Sequence, residues 1–359
     1  MNMIRNFLKT VAVAVVAFSV PGIGTANAAT FRLTIGASHP EAAIWVEVMR
    51  DFLAPEIAKR VEQKTGHKIE WVNAYGGSIC KVGECLEAVE SGLLDIAEIQ
   101  PTFEPSKLMA HNFAYAVPFG PPDPVMAARV GLKIYDTVPG LNRILDKYNQ
   151  LFLALGPSGG NYGLVTTFPW EKVEQLKGRK IAAAGPNIPW LQAVGAIPVT
   201  SNLVEAYTSL QSGVYQGWLM FPVGVVGFKL HEVAKNFTFT DFGSMAAAIL
   251  ITVNKNTWAK LPKPVQDIMT EVGREYVEVV SKRTAAQEQR SIDAMKAAGV
   301  NIRSLSDAEI VKWANALPEI PSQRAAEIRK AGHPGEVVAA YLKALKDAGV
   351  KLPRDWTVR

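Results

Sequence analysis

Apolar and polar positions alternate from Phe31 to Ile35 (FRLTI), and Gly36, Ser38 and Pro40 follow, which predicts a strand ending in a turn. From Ala42 to Thr65 the period changes to that of a helix, with Ile44, Met49, Phe52, Leu53, Ile57 and Val61 on one face. Ile69–Val72 reads as the next strand, Glu84–Ser91 as a helix closed by Gly92, and Ile96–Ile99 as a third strand. Strand, helix, strand, helix, strand is the pattern of a parallel sheet with helices on its faces.

A helical stretch over Pro124–Tyr148 separates this block from a second one. There Leu151–Leu155, Leu164–Thr167 and Lys180–Ala184 read as strands, and Trp190–Val194, Leu203–Gln211 and Val225–His231 as helices. Ala246–Val253 (AAAILITV) is an apolar strand long enough to cross between two lobes. Pro264–Ala298 is one continuous helical pattern, with Pro in its first turn and Gly299 after its end. The expectation is an α/β, two-lobed periplasmic-binding-protein fold with a ligand cleft between the lobes and a long connecting helix. The first lobe takes residues 29–157 plus 246–285, and the second 158–245 plus 286–359. Ligands of open α/β sheets sit at the carboxyl ends of strands, so the alanines closing Lys180–Ala184 stand at such a site.

Composition narrows the function. Of 359 residues, 48% are hydrophobic and 20% charged, which suits two globular lobes. The net charge of +5 is spread without a basic run interleaved with aromatics, so nucleic acid is not an expected partner. Arg5 and Lys9, the apolar run Val11–Val20 and the small residues Ala26 and Ala28 form an export signal over residues 1–28, cleaved after Ala28. The run is short of the ~20 residues of a membrane span. The mature chain is thus expected in the periplasm. In that oxidising compartment the only two cysteines, Cys80 and Cys85, favour a small disulfide loop over free thiols or a redox pair.

Catalytic signals are weak. Gly156-Pro157-Ser158-Gly159-Gly160 has the form G-x-S-x-G after a strand, but a nucleophile elbow needs a helix next, and NYGLVTTFPW reads as another strand. Ser158 leaves a secreted serine hydrolase as one alternative. The five histidines show no metal-ligand spacing, and no cofactor is called for. His39 stands out by its place just beyond the first strand, with a surface or capping role as its alternative. GVYQGWLMFPVG sets Trp218 and Phe221 in a Gly- and Pro-punctuated loop, and such a group of apolar side chains needs either a ligand or the other lobe to cover it.

AYGGSICKVGECLEAVESGLLDIAE, LKGRKI, GAIPV with LVEAYTSLQSGVYQG, and ITVNKNTWAKLPKPVQ occur in that order. Taken together they resemble the solute receptors of tripartite ATP-independent periplasmic (TRAP) transporters, the DctP-type family, over essentially the whole mature chain. The resemblance implies a non-catalytic binding protein that delivers a small organic solute to separate membrane permease subunits; a monomer is expected. A receptor reporting its ligand to a membrane sensor is the other alternative. Family members usually carry K-I-R-x where this chain has Lys180-Ile181-Ala182, and that Arg forks onto the ligand carboxylate. Arg179 lies an odd number of residues from Ala182 and so points to the other face of the strand. The expected ligand is therefore an aromatic or largely apolar monoacid rather than a dicarboxylate. Expected contacts are His39, Ser78, Gln100 and Phe103 from the first lobe. Tyr162, Asn187, Trp190, Leu203, Trp218, Met220 and Phe221 are expected from the second.

Overall fold

The computed structural model describes residues 28–358; the segment read as an export signal, Ala28 excepted, lies outside them, as does Arg359. Eleven strands follow the chain: β1 (Thr30–Gly36), β2 (Lys68–Ala74), β3 (Ile96–Ile99), β4 (Gln150–Gly156), β5 (Gly163–Thr166), β6 (Lys180–Ala183), β7 (Ile197–Thr200), β8 (Gly217–Met220), β9 (Asn236–Phe239), β10 (Ile249–Asn254) and β11 (Asn301–Ser304). They form two sheets, ordered β2-β1-β3-β10-β4 and β11-β9-β5-β8-β6-β7. Helices cover both, giving the two-lobed α/β architecture that the sequence pattern predicts.

The first block was expected to make a parallel sheet, and β1, β2 and β3 do run parallel. Yet β10 is antiparallel to both β3 and β4, and in the second sheet β5 is antiparallel to both β8 and β9. The reason is how those strands are entered. A parallel neighbour needs a crossover helix, whereas β5 and β10 are each the first strand after the chain has passed from one sheet to the other.

Two straps make these passages, residues 157–162 and 240–248, and they are hydrogen-bonded to each other. Ser158 N donates to Met245 O (2.9 Å) and Tyr162 N to Gly243 O (3.2 Å). Met245 N donates to Ser158 Oγ (2.8 Å), and Asn161 joins Asp241 Oδ1 (2.7 Å) to the Gly243 amide (3.0 Å). Gly243 has φ +90°, and a Cβ there would lie 2.5 Å from Gly120 O, so only glycine fits. Ala246–Ala248, read as strand from the sequence, belongs to this strap. Ala247 has φ 53°, left-handed backbone that cannot continue a ladder, so the strand proper starts at Ile249.

The long helix Lys263–Ala297 has 35 residues, a length of about 52 Å. It packs on β4 and on helix Ala54–Thr65 at one end and on helix Pro222–Gly227 and β11 at the other. Within the first lobe Tyr276 Oη donates to Trp45 O (3.0 Å), and beside the straps Glu288 Oε1 accepts from Asn161 N (3.0 Å).

Other elements differ from their prediction. The helix Ala42–Thr65 contains a π turn at Met49–Leu53. The helix Val225–His231 is two, Pro222–Gly227 and Leu230–Val233, parted at Lys229 with φ 58°. Three C-terminal helices, Asp307–Ala316, Ile320–Lys330 and Glu336–Asp347, went unassigned. The last lies against Pro124–Thr137, with the Tyr341 ring 5.1 Å from Phe113, so part of the segment read as second lobe packs on the first.

Candidate functional site

β3 in the first sheet and β6 and β8 in the second end at a shared cavity. Trp45, Gln100, Thr102, Phe103 and Tyr115 line it from the first lobe, and Ser158, Tyr162, Ala248 and Ile249 at the straps. Ala184, Leu203, Trp218, Leu219, Met220 and Phe221 complete it from the second. Seven residues picked from the sequence therefore meet around one space: Gln100, Phe103, Tyr162, Leu203, Trp218, Met220 and Phe221.

The segment read as a loop, GVYQGWLMFPVG, instead holds the buried strand β8, paired with β5 and β6. Gly217 is required there, because a Cβ would lie 2.8 Å from Thr166 and 2.9 Å from the Val165 carbonyl. Phe221 then leaves the sheet and sets its ring edge-on to Tyr162, 5.4 Å away.

Four picked residues do not line the cavity. Ser78 is exposed beside the Cys80–Cys85 bond, which joins two residues with Cα atoms 5.0 Å apart. Trp190 is fully buried, stacked on Phe242 (4.5 Å) and Tyr115 (6.1 Å), and so serves the wall behind the lining. Asn187 is 1% exposed, with neither amide atom hydrogen-bonded. His39 turns inward behind Gln100: its Nδ1 lies 3.0 Å from Ser38 Oγ, 3.2 Å from Gln100 Nε2 and 3.3 Å from Glu98 Oε1. A buried carboxylate draws the imidazole away from the mouth of the cleft.

Trp45, Tyr115 and Thr102 were missed. Trp45 reads as one more core position of an amphipathic helix, and Tyr115 as part of an apolar run; periodicity cannot tell a cleft wall from a core. The Tyr115 and Tyr162 hydroxyls are 3.4 Å apart. Burial holds both phenols protonated, Tyr162 pushed up to about 12 and Tyr115 raised as well. One hydroxyl can donate to the other, which leaves one donor for a ligand.

Among the described residues no Lys or Arg lines the cavity. Arg179 stacks over the Phe168 ring, 4.3 Å from its centre, and does not replace the missing guanidinium. Across Tyr115 lies a second cavity, which Gly185, Pro186 and Arg324 help to line; Arg324 pairs there with Glu327 (2.6 Å). Among the described residues no group of three or more His, Cys, Asp and Glu is placed to hold a metal ion. Ser158 Oγ is engaged by Met245 N and Gly160 O, and the strand β5, not a helix, follows it. That is a hydrogen bond between straps, without the following helix that a nucleophile elbow needs.

The model of the bacterial extracellular solute-binding proteins, family 7 (DctP), matches residues 50–327. A solute-binding protein of Albidiferax ferrireducens is 24% identical over 304 residues, covering 80% of this chain and 85% of that one. The C4-dicarboxylate-binding periplasmic protein DctP of Rhodobacter capsulatus is 27% identical over 139 residues, covering 38% of this chain and 41% of its own length. A TRAP periplasmic solute-binding protein of Bordetella bronchiseptica, solved with bound (R)- and (S)-mandelate, superposes with a TM-score of 0.75 at 19% identity. That superposition covers 88% of this chain and 99% of the other, and it speaks to the fold. The match over most of the chain, on this two-lobed fold, makes the protein a member of the DctP family of TRAP solute-binding proteins.

Proposed function

We propose that this chain is the periplasmic subunit that carries a largely apolar organic monoacid, aromatic in preference to a C4-dicarboxylate, to TRAP membrane permease subunits. It would act as a monomer after removal of residues 1–28. One observation carries the ligand class: six aromatic side chains line a cavity to which no Lys or Arg contributes among the described residues. Burying an unpaired carboxylate costs several kcal/mol, and a dicarboxylate has two to satisfy. The second-lobe wall offers apolar area instead, at about 25 cal/mol per Å² of ligand surface covered. A monoacid's single charge can take hydrogen bonds from Thr102, the tyrosine pair or Trp218. The Bordetella protein of the same fold is solved with bound mandelate, so a phenyl-bearing monoacid is within its reach.

Mass spectrometry of ligand released from protein purified out of the periplasm tests this. An aromatic or branched apolar monoacid is the expected finding, and succinate, malate or fumarate as the bound species would overturn it.

A further inference from the structure

We infer that Gln100 is a specificity-determining residue: it presents its carbonyl oxygen to the cleft, so the ligand carries a hydroxyl or N–H donor as well as its acid group. This rests on the reading of the cleft as the site of an apolar monoacid.

Glu98 and Gln100, two apart along an extended segment, point to the same face. Extending the register Ile35↔Ile96 and Gly36↔Ala97 brings His39 beside Gln100. Glu98 is fully buried, and Gln100 Nε2 donates to its Oε1 at 2.7 Å while facing His39 Nδ1 at 3.2 Å. A carboxylate only accepts, so turning the amide over would set two oxygens against each other. With Nε2 held on the buried side by Glu98, Oε1 is the polar atom left for the cavity that Gln100 lines. A ligand with apolar or acceptor surface there strands that acceptor, and one with a donor satisfies it.

Calorimetry of the mature protein with two probe series tests this: phenylacetate, mandelate and phenylglyoxylate; then benzoate, 3-hydroxybenzoate and 4-hydroxybenzoate. A donor-bearing acid should be the tightest of its series, by about tenfold or more. Gln100→Met should shrink that ratio below about threefold while leaving the donor-free acids almost unchanged, whereas a merely structural role would weaken all alike. Glu98→Gln lets the Gln100 amide turn over, so phenylglyoxylate should gain on mandelate. Equal binding within both series of the wild-type protein overturns the inference without needing any variant, and leaves the monoacid reading standing. A ratio that survives in folded Gln100→Met protein also overturns it. Binding of none of the six acids, with succinate bound, overturns both.

Discussion

On the first-lobe side of the cleft a carboxylate, an imidazole and an amide stand within 3.3 Å of one another, and all but Gln100 are closed off from solvent. On the second-lobe side Trp218, Leu219, Met220 and Phe221 follow in succession, each no more than 5% exposed, with Leu203 and Ala184 beside them. The same strand-end position is thus polar and prearranged in one sheet, and apolar and space-filling in the other. On the proposed reading, affinity and orientation are separated between the lobes: the apolar wall would contribute contact area, while the polar wall would accept one particular hydrogen bond.

Replacing Trp218 with Ala should break the apolar wall most severely. Its ring is 2% exposed on a strand inside the sheet, so the change should cost about 3–5 kcal/mol in urea unfolding, and weaken monoacid binding too. On the polar wall Glu98→Ala should cost less, about 1.5–3 kcal/mol, by leaving the Gln100 amide and His39 without their buried acceptor. Equal losses from the two changes would contradict the contrast between the walls.

The straps sharpen the comparison, since they join the two walls. Ser158→Ala removes the acceptor of the Met245 amide and should lower stability by about 1 kcal/mol. An esterase activity lost in that variant would show Ser158 to be a nucleophile instead.

Glu288 gives the smallest effect, and it has a sign. Burial pushes its carboxyl from the ordinary 4.5 up to about 7, so between those values the folded protein holds a proton that the unfolded chain has released. Stability from this group is complete below about pH 4.5 and is lost as pH rises through 7. Glu288→Gln, which keeps an acceptor for Asn161 N, should therefore raise stability at pH 8 by on the order of 1 kcal/mol and change little at pH 4.5. Thermal melts at the two values check it.

Much of the fold was legible because β1, the long helix and the helix Leu203–Gln211 have clear periods of 2 or 3.6 and end at glycines or a cap such as Asn202. β8 was not, because GWLM is apolar on both faces and framed by Gly217 and Pro222, so neither period shows. The two antiparallel strands were hidden as well, since direction depends on where the straps cross rather than on any local pattern. At the site, Trp218, Met220 and Phe221 were found because a segment read as a loop gathered more large apolar residues than a loop leaves uncovered. Trp190 and Trp45 exchanged places relative to expectation: one fills the wall and the other faces the cavity, a distinction made by ring stacking and not by spacing. His39 stood at the right end of the right strand, but a partner 59 residues away, Glu98, decided where its ring turned.

Calorimetric titration of the mature, ligand-stripped protein with mandelate and with succinate bears most directly on the absence, among the described residues, of Lys and Arg from the cavity lining. Mandelate should bind in the micromolar range or tighter, and succinate about a thousandfold more weakly, a difference of about 4 kcal/mol. Micromolar succinate with no heat from mandelate would contradict the assignment, and would mean that a cation such as Arg324 reaches the cleft when the lobes move.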